Sequence, residues 1–293
     1  MPHDSTKVDD PALRHPALAP GRVALVTGAA SGIGLAAAER FAALGMKVCM
    51  ADVNAEALEE AGRGVAGRAG SAANVLVIPT DVSRRDEVER LRDRVGDAFG
   101  EVALLMNNAG REGGGGLFGD PERWREILAT NLWGVVNGVQ VFAPHMVEQG
   151  TACAIVNTGS KQGITMPPGD TAYNVSKAGV KVVTEALAHD LRNIEGCRVS
   201  AHLLIPGFTF TGFTKVRVSE KPAAAWTPEQ VIDFLLPAMA RGDFYVLCPD
   251  NDVTRATDEK RIAWAAGDII ENRPPLSRWH PDYKDAFARF AGS

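Results

Sequence analysis

Arg22-Val-Ala-Leu-Val-Thr27-Gly28-Ala-Ala-Ser31-Gly32-Ile33-Gly34-Leu-Ala-Ala-Ala38 is the stretch that decides the fold. Residues 22–27 form a continuous apolar run of strand type, and residues 33–44, rich in alanine and stopped by Gly45, read as a helix. Gly28 lets the chain turn sharply without a Cβ clash, while Gly32 and Gly34 let backbone approach a pyrophosphate and let helix pack on strand. A glycine-rich loop by itself is only a turn. With a strand before it and a helix after it, the free N–H groups and dipole at the helix start make a cradle for a diphosphate. Gly28, Ser31, Gly32, Ile33 and Gly34 are therefore the first cofactor-binding candidates.

Moving outward, Asp52 closes the next strand, residues 47–51, and lies 24 residues after Gly28. A carboxylate there bonds both hydroxyls of an adenosine ribose and repels a 2′-phosphate. Val53 and Asn54 follow it and the glycine loop holds no Lys or Arg, so nothing neutralises such a phosphate. The expected cofactor is NAD(H) rather than NADP(H).

Strand and helix patterns go on alternating to residue 247, which predicts a Rossmann-type, doubly wound α/β fold. Its parallel sheet has seven strands, at residues 22–27, 47–51, 74–79, 102–106, 152–157, 198–204 and 244–248, with helices on both faces. Helices are expected over 55–68, over 83–99 with Ser83 as N-cap, over 121–149 with a kink at Pro144, over 171–193 and from Thr227-Pro228 to 239. Nothing divides the chain in two, so a single domain, 21–250, is predicted between a loose polar arm, 1–20, and an extension, 251–293. That extension carries one helix, about 258–270, and the aromatics Trp264, Trp279, Tyr283, Phe287 and Phe290, which pack either on this subunit's site or on a neighbouring subunit.

Composition narrows the classes. The 45% hydrophobic and 23% charged residues are those of an ordinary globular protein, and a net charge of −5 offers no field for nucleic acid or an anionic membrane. No apolar run approaches the roughly 18–20 residues that cross a bilayer, and the N-terminus lacks the apolar core of a secretory signal. Cys49, Cys153, Cys197 and Cys248 form no metal-like cluster. They read as small buried hydrophobes in a reducing cytoplasm, and no metal site is expected.

The chemistry is carried by Tyr173 and Lys177, which share one helix face. A phenol is a poor base at neutral pH, and a nearby ammonium stabilises its phenolate. Ser160 lies just past the fifth strand, thirteen residues before Tyr173, and can hold a substrate oxygen by a hydrogen bond. Tyrosine poised in this way takes a proton from an alcohol or returns one to a ketone.

The pattern resembles the short-chain dehydrogenase/reductase family in its common short form, over residues 22–248. It rests on Thr27-Gly-x-x-x-Gly-x-Gly34, Asp52, Asp81-Val82, Asn107-Asn108-Ala109-Gly110, Asn131, Ser160, Tyr173-x-x-x-Lys177 and Pro206-Gly207. The resemblance implies that Asp81 bonds the adenine amino group with Val82 beside it, and that Asn108, Ala109 and Gly110 line the cofactor. It implies that Lys177 also bonds the nicotinamide ribose, and that Pro206, Gly207 and Thr209 hold the nicotinamide amide, with Thr211 near the diphosphate. Asn131 would hold a water relaying protons from Lys177; on the residues alone it reads as a polar helix residue bonding nearby backbone. The family assembles as homodimers or homotetramers that bury the helices beginning near Pro121 and Thr171.

Two departures stand at the mouth of the site. Lys161-Gln162 follows Ser160, and Arg111-Glu112 follows the Asn-Asn-Ala-Gly motif, where the family favours small or apolar residues. They either contact substrate or are solvated loop residues. After Gly207 come Phe208, Phe210 and Phe213, then Val216 and Val218, in a stretch that forms a lid in the family and suggests a secondary alcohol or ketone with a hydrophobic or aromatic group. The competing readings are a catalytically silent NAD-binding sensor or structural subunit, and an epimerase or dehydratase of the family's longer branch.

Overall fold

The computed structural model describes residues 15–212 and 220–292. Seven parallel strands form one sheet in the order β3-β2-β1-β4-β5-β6-β7. They are β1 (Val23–Thr27), β2 (Lys47–Asp52), β3 (Val75–Pro79), β4 (Leu104–Asn107), β5 (Cys153–Thr158), β6 (Val199–Ile205) and β7 (Tyr245–Leu247). The strand order reverses between β1 and β4, and in open α/β sheets ligands bind beyond the strands' carboxyl ends at such a switch point.

Alternate residues of each strand feed two cores. Ala24 and Val26 of β1 point to one face, where Phe41 of α1 (Gly32–Ala43) and Leu58 of α2 (Ala55–Arg68) cover them. Val23 and Leu25 point to the other, beneath Leu91 of α3 (Arg85–Phe99) and Phe142 and Met146 further along the chain. Both faces of the sheet are dry, which is why its strands read as unbroken apolar runs.

The sequence expects one helix over 121–149, and the structure divides it. α4 (Pro121–Leu128) passes into a π-helical turn, Ala129–Trp133, before α5 (Gly134–Glu148). Pro144 lies inside α5. Beyond β5 follow the short α6 (Gln162–Thr165) and α7 (Thr171–Arg192), the latter capped by Asp170, whose side chain accepts from the Tyr173 N–H. α8 (Pro228–Arg241) starts with a reciprocal capping box between Thr227 and Gln230.

Three expectations need correction. Ser83 does not cap α3: its hydroxyl donates to Asp81 Oδ1 at 2.7 Å, a nearer acceptor, and the helix begins at Arg85. The arm is not loose as far as residue 20, because Ala17 and Leu18 are buried and His15 Nε2 meets Ser200 Oγ at 3.1 Å; its first fourteen residues lie outside those described. The helix of the extension, α9, is Arg255–Ile270, three residues longer at its start because Thr254 caps it by accepting from Thr257 N–H. A last helix, α10 (Lys284–Gly292), turns Phe287 and Phe290 onto Trp264, which also stacks on Arg273. Among the described residues no helix is long and apolar enough to cross a membrane.

Candidate active site

At the carboxyl end of β1 the chain enters the glycine loop. Gly28 takes φ +66°, and a Cβ there would stand 2.7 Å from Ala109 Cα. A Cβ on Gly34 would strike the carbonyl oxygen of Gly28. Thr27 ties this loop to the one after β4, since its Oγ1 accepts from the N–H groups of Asn108, at 3.0 Å, and Ala109, at 3.2 Å. Asn108 Nδ2 donates back to the Thr27 carbonyl at 3.2 Å.

Two cavities of about 570 Å³ each open over these loops and share Gly28, Asp52, Gly110 and Arg111. The first runs past Ser31, Gly32 and Ile33 to Ser160, Tyr173 and Lys177, with Pro206, Gly207, Thr209 and Thr211 on its wall. The second holds Asp81, Val82 and Ala109. Asp52 stands where they meet, its carboxylate accepting from the N–H groups of Ala30, at 3.1 Å, and Asn54, at 3.0 Å. Two adjoining cavities that share Gly28 of the glycine loop and a carboxylate held by backbone N–H groups offer the donor set that fits a dinucleotide. Gly34 serves by packing behind the cradle rather than by lining it.

At the far end, α7 brings Tyr173 and Lys177 to one face, and Ser160 reaches them from the loop after β5. Ser160 and Tyr173 line the same end of the cleft, and Ser160 lies close enough to act on the Tyr173 phenol. Lys177 is buried, its Nζ donating to the Thr158 carbonyl at 2.8 Å and lying 5.7 Å from the Tyr173 ring centre. Burial pushes the Tyr173 phenol up, and the Glu112 carboxylate pushes the same way, against the pull of Ser160. Burial brings the Lys177 ammonium down to about 8, with Glu112 opposing.

Asn131, on the π-helical turn, is fully buried. Its Oδ1 accepts from the Arg111 N–H at 2.7 Å, and its Nδ2 donates to the Arg111 carbonyl at 2.9 Å and to Ser176 Oγ at 3.1 Å. These bonds fix the loop that carries Glu112, and they do not bring Asn131 to the cleft wall.

The departures at the mouth have different fates. Arg111 is exposed and lies 3.5 Å from Glu126, whereas Glu112 is half-buried in the cleft. Lys161 is neither solvated nor free, its Nζ lying 2.6 Å from Asp258 and 3.3 Å from Asp250. Those two aspartates escape sequence reading because only long-range folding brings them to Lys161. Phe208 lines the cleft half-exposed; Phe213, Val216 and Val218 lie outside the described residues.

A family model described as short chain dehydrogenase matches residues 22–222. The chain is 33% identical to 1-deoxy-11-beta-hydroxypentalenate dehydrogenase of Streptomyces exfoliatus, over 88% of this chain and 94% of that protein. It is 36% identical to 2-(R)-hydroxypropyl-CoM dehydrogenase of Xanthobacter autotrophicus, over 68% of this chain and 79% of that one. Among solved structures, a short chain dehydrogenase/reductase from Burkholderia phymatum in complex with NAD superposes with TM-score 0.79 at 36% identity, covering 87% of this chain and 96% of that one.

Proposed function

The chain belongs to the short-chain dehydrogenase/reductase family, an oxidoreductase acting on small molecules, and from that premise we propose that it is NAD(H)-dependent, with Tyr173 as the acid/base for a secondary alcohol or ketone. The observation that carries this reading is the convergence of Ser160 and Tyr173 on one wall of the cleft beside the buried Lys177 ammonium. Bound in the cleft, the nicotinamide ring supplies the hydride acceptor or donor.

The protein's own residues handle the oxygen and the proton. Ser160 donates a hydrogen bond to the substrate oxygen and fixes it beside the Tyr173 hydroxyl. In oxidation the Tyr173 phenolate takes the alcohol proton as the carbonyl forms; in reduction the phenol returns it. Lys177, charged below about pH 8, favours that phenolate and would also bond the nicotinamide ribose. Asp52 would hold the adenosine ribose hydroxyls, Asp81 the adenine, and Pro206, Gly207 and Thr209 the amide.

The preference for NAD over NADP is supported by Asp52, which lines both cavities, and by the NAD in the Burkholderia phymatum structure. Phe208, half-exposed on the cleft wall, supports a substrate with an apolar group beside the reacting carbon. Trp133, Val175 and Val182, 58%, 44% and 62% exposed, support assembly into a homodimer or homotetramer through the π-helical turn ahead of α5 and the face of α7.

Replacement of Tyr173 by Phe separates this enzyme from a silent NAD-binding subunit. We expect turnover in an alcohol and ketone screen to fall by about 10²–10⁴-fold while a fluorescence titration still shows NADH binding. Binding by wild type with no turnover across the screen would sink the enzymatic reading. A higher kcat/KM with NADP than with NAD would sink the cofactor assignment.

A further inference from the structure

The residue after Ser160 is a lysine whose charge is hidden. Lys161, Asp250 and Asp258 have side chains 16%, 7% and 6% exposed, and Nζ stands 3.3 Å from Asp250 Oδ2 and 2.6 Å from Asp258 Oδ2. Charges this far from water are tolerated only when paired, and removing one partner strands the others. Arg261, whose Nη1 is 3.6 Å from Asp258 Oδ1, completes the balance from within α9.

The pair lies directly against Gly207. A Cβ at that glycine would stand 2.8 Å from Asp250 Oδ2 and 2.9 Å from Lys161 Nζ, so a side chain there would displace the ion pair. Asp250 Oδ2 also accepts from the N–H of Phe208 at 3.4 Å, and Oδ1 accepts from Val253 N–H at 2.8 Å. The backbone N–H of Lys161 donates to the carbonyl of Pro206 at 3.4 Å. Lys161 thus grips the Pro206–Gly207–Phe208 segment with its main chain at one end and its side chain at the other. Its neighbour Ser160 accepts from Gln162 N–H at 3.2 Å, on the same short turn.

We propose that Lys161 is a positioning residue: with Asp250 and Asp258 it locks the serine loop and the Pro206–Gly207 loop into one wall, so that α9 of the C-terminal extension sets the geometry at the nicotinamide end of the cleft. This rests on the reading that Gly207 faces the nicotinamide. The extension is then a working part of the site rather than a cover. Its aromatic cluster of Trp264, Phe287 and Phe290 anchors α9 so that Asp258 is presented at a fixed distance.

The test compares NADH with ADP-ribose, which keeps the diphosphate and adenosine but lacks nicotinamide, on full-length Lys161→Met, Lys161→Arg and Asp258→Asn. We expect Lys161→Met to lose about 10²-fold in kcat through misplacement at the reacting centre. NADH affinity should fall about tenfold, equal to about 1.4 kcal/mol, with ADP-ribose affinity unchanged. Asp258→Asn should move both quantities the same way by less, and Lys161→Arg should retain more of both than Lys161→Met. A lower melting temperature with the NADH to ADP-ribose affinity ratio and kcat unchanged would show a mere prop and overturn the proposal. If Lys161→Met no longer binds ADP-ribose, the same comparison on Asp258→Asn decides. Tyr173→Phe, run alongside, separates the two ideas: full turnover there overturns the proton-transfer reading, while the affinity ratio still reports on Lys161.

Discussion

Glu112 places a negative charge beside a phenol that has to ionise. The burial of Tyr173, this carboxylate and Asp170 all favour the neutral phenol, and Ser160 opposes them. Alcohol oxidation needs the phenolate, so its kcat/KM should rise with pH through neutrality, whereas ketone reduction, which needs the phenol, should not. Lys177, brought down to about 8, loses its charge above that pH and ends the favourable range. Removing the Glu112 charge lowers the affinity of both groups for a proton. Glu112→Gln should therefore shift both limbs of the oxidation profile to lower pH, by about half a unit to one unit. Profiles that coincide between wild type and variant would show that Glu112 does not govern this proton. Asp52 was read from its place at the end of a strand, Ser160 from its place after one, and Tyr173 and Lys177 from their spacing on a helix, and all four line one cavity. Glu112 and Lys161 could be noticed only as departures, because what they touch is set by folding.

At the scale of elements, the β1–loop–α1 unit tolerates no bulk at its tightest point. An alanine Cβ at Gly34 meets the backbone oxygen of Gly28, which cannot swing aside as a side-chain end can, and comes within 2.7 Å of Asn108 Nδ2. Gly34→Ala should cost about 1–3 kcal/mol, read as a lower urea midpoint, and should weaken ADP-ribose binding, since the cradle opens. An unchanged midpoint and affinity would mean that the loop can relax. The strands and most helices were legible because dry parallel strands are apolar runs ended by Gly or Asp. The division of α4 from α5 was not, since Ala129-Thr-Asn-Leu-Trp133 contains neither Gly nor Pro and the apolar pattern runs through it. Ser83 misled because a local aspartate outcompeted the helix for its hydroxyl.

For the molecule as a whole, the parallel sheet puts chemistry at the carboxyl edge and leaves the opposite edge to stability. There His15 and His202 lie edge-to-face at 5.7 Å, with Ser200 Oγ bonded to both rings. Burial first, and His202 second, bring His15 down to about 4; burial also lowers His202. Between pH 6.5 and about 4 the unfolded chain therefore binds more protons at His15 than the folded one. Stability from this pair is complete above pH 6.5 and is lost as pH falls through that window. His15→Gln should be less stable than wild type at pH 7 and lose less on acidification to pH 5, by urea unfolding at both. Equal losses would show that His15 is not part of this acid sensitivity.

The π-helical turn bears on chain length. A π turn holds one residue more than the helix around it needs. Deleting one residue of Ala129–Trp133 would remove that surplus and leave a regular helix whose later turns keep their facing. Val135, Val141, Phe142 and Met146, all buried, would stay on the sheet, while a deletion ahead of Asn131 would swing its amide off the Arg111 backbone. This stretch should therefore fold with one residue fewer yet lose the bonds that hold the Arg111–Glu112 loop: the extra residue serves the site rather than the core.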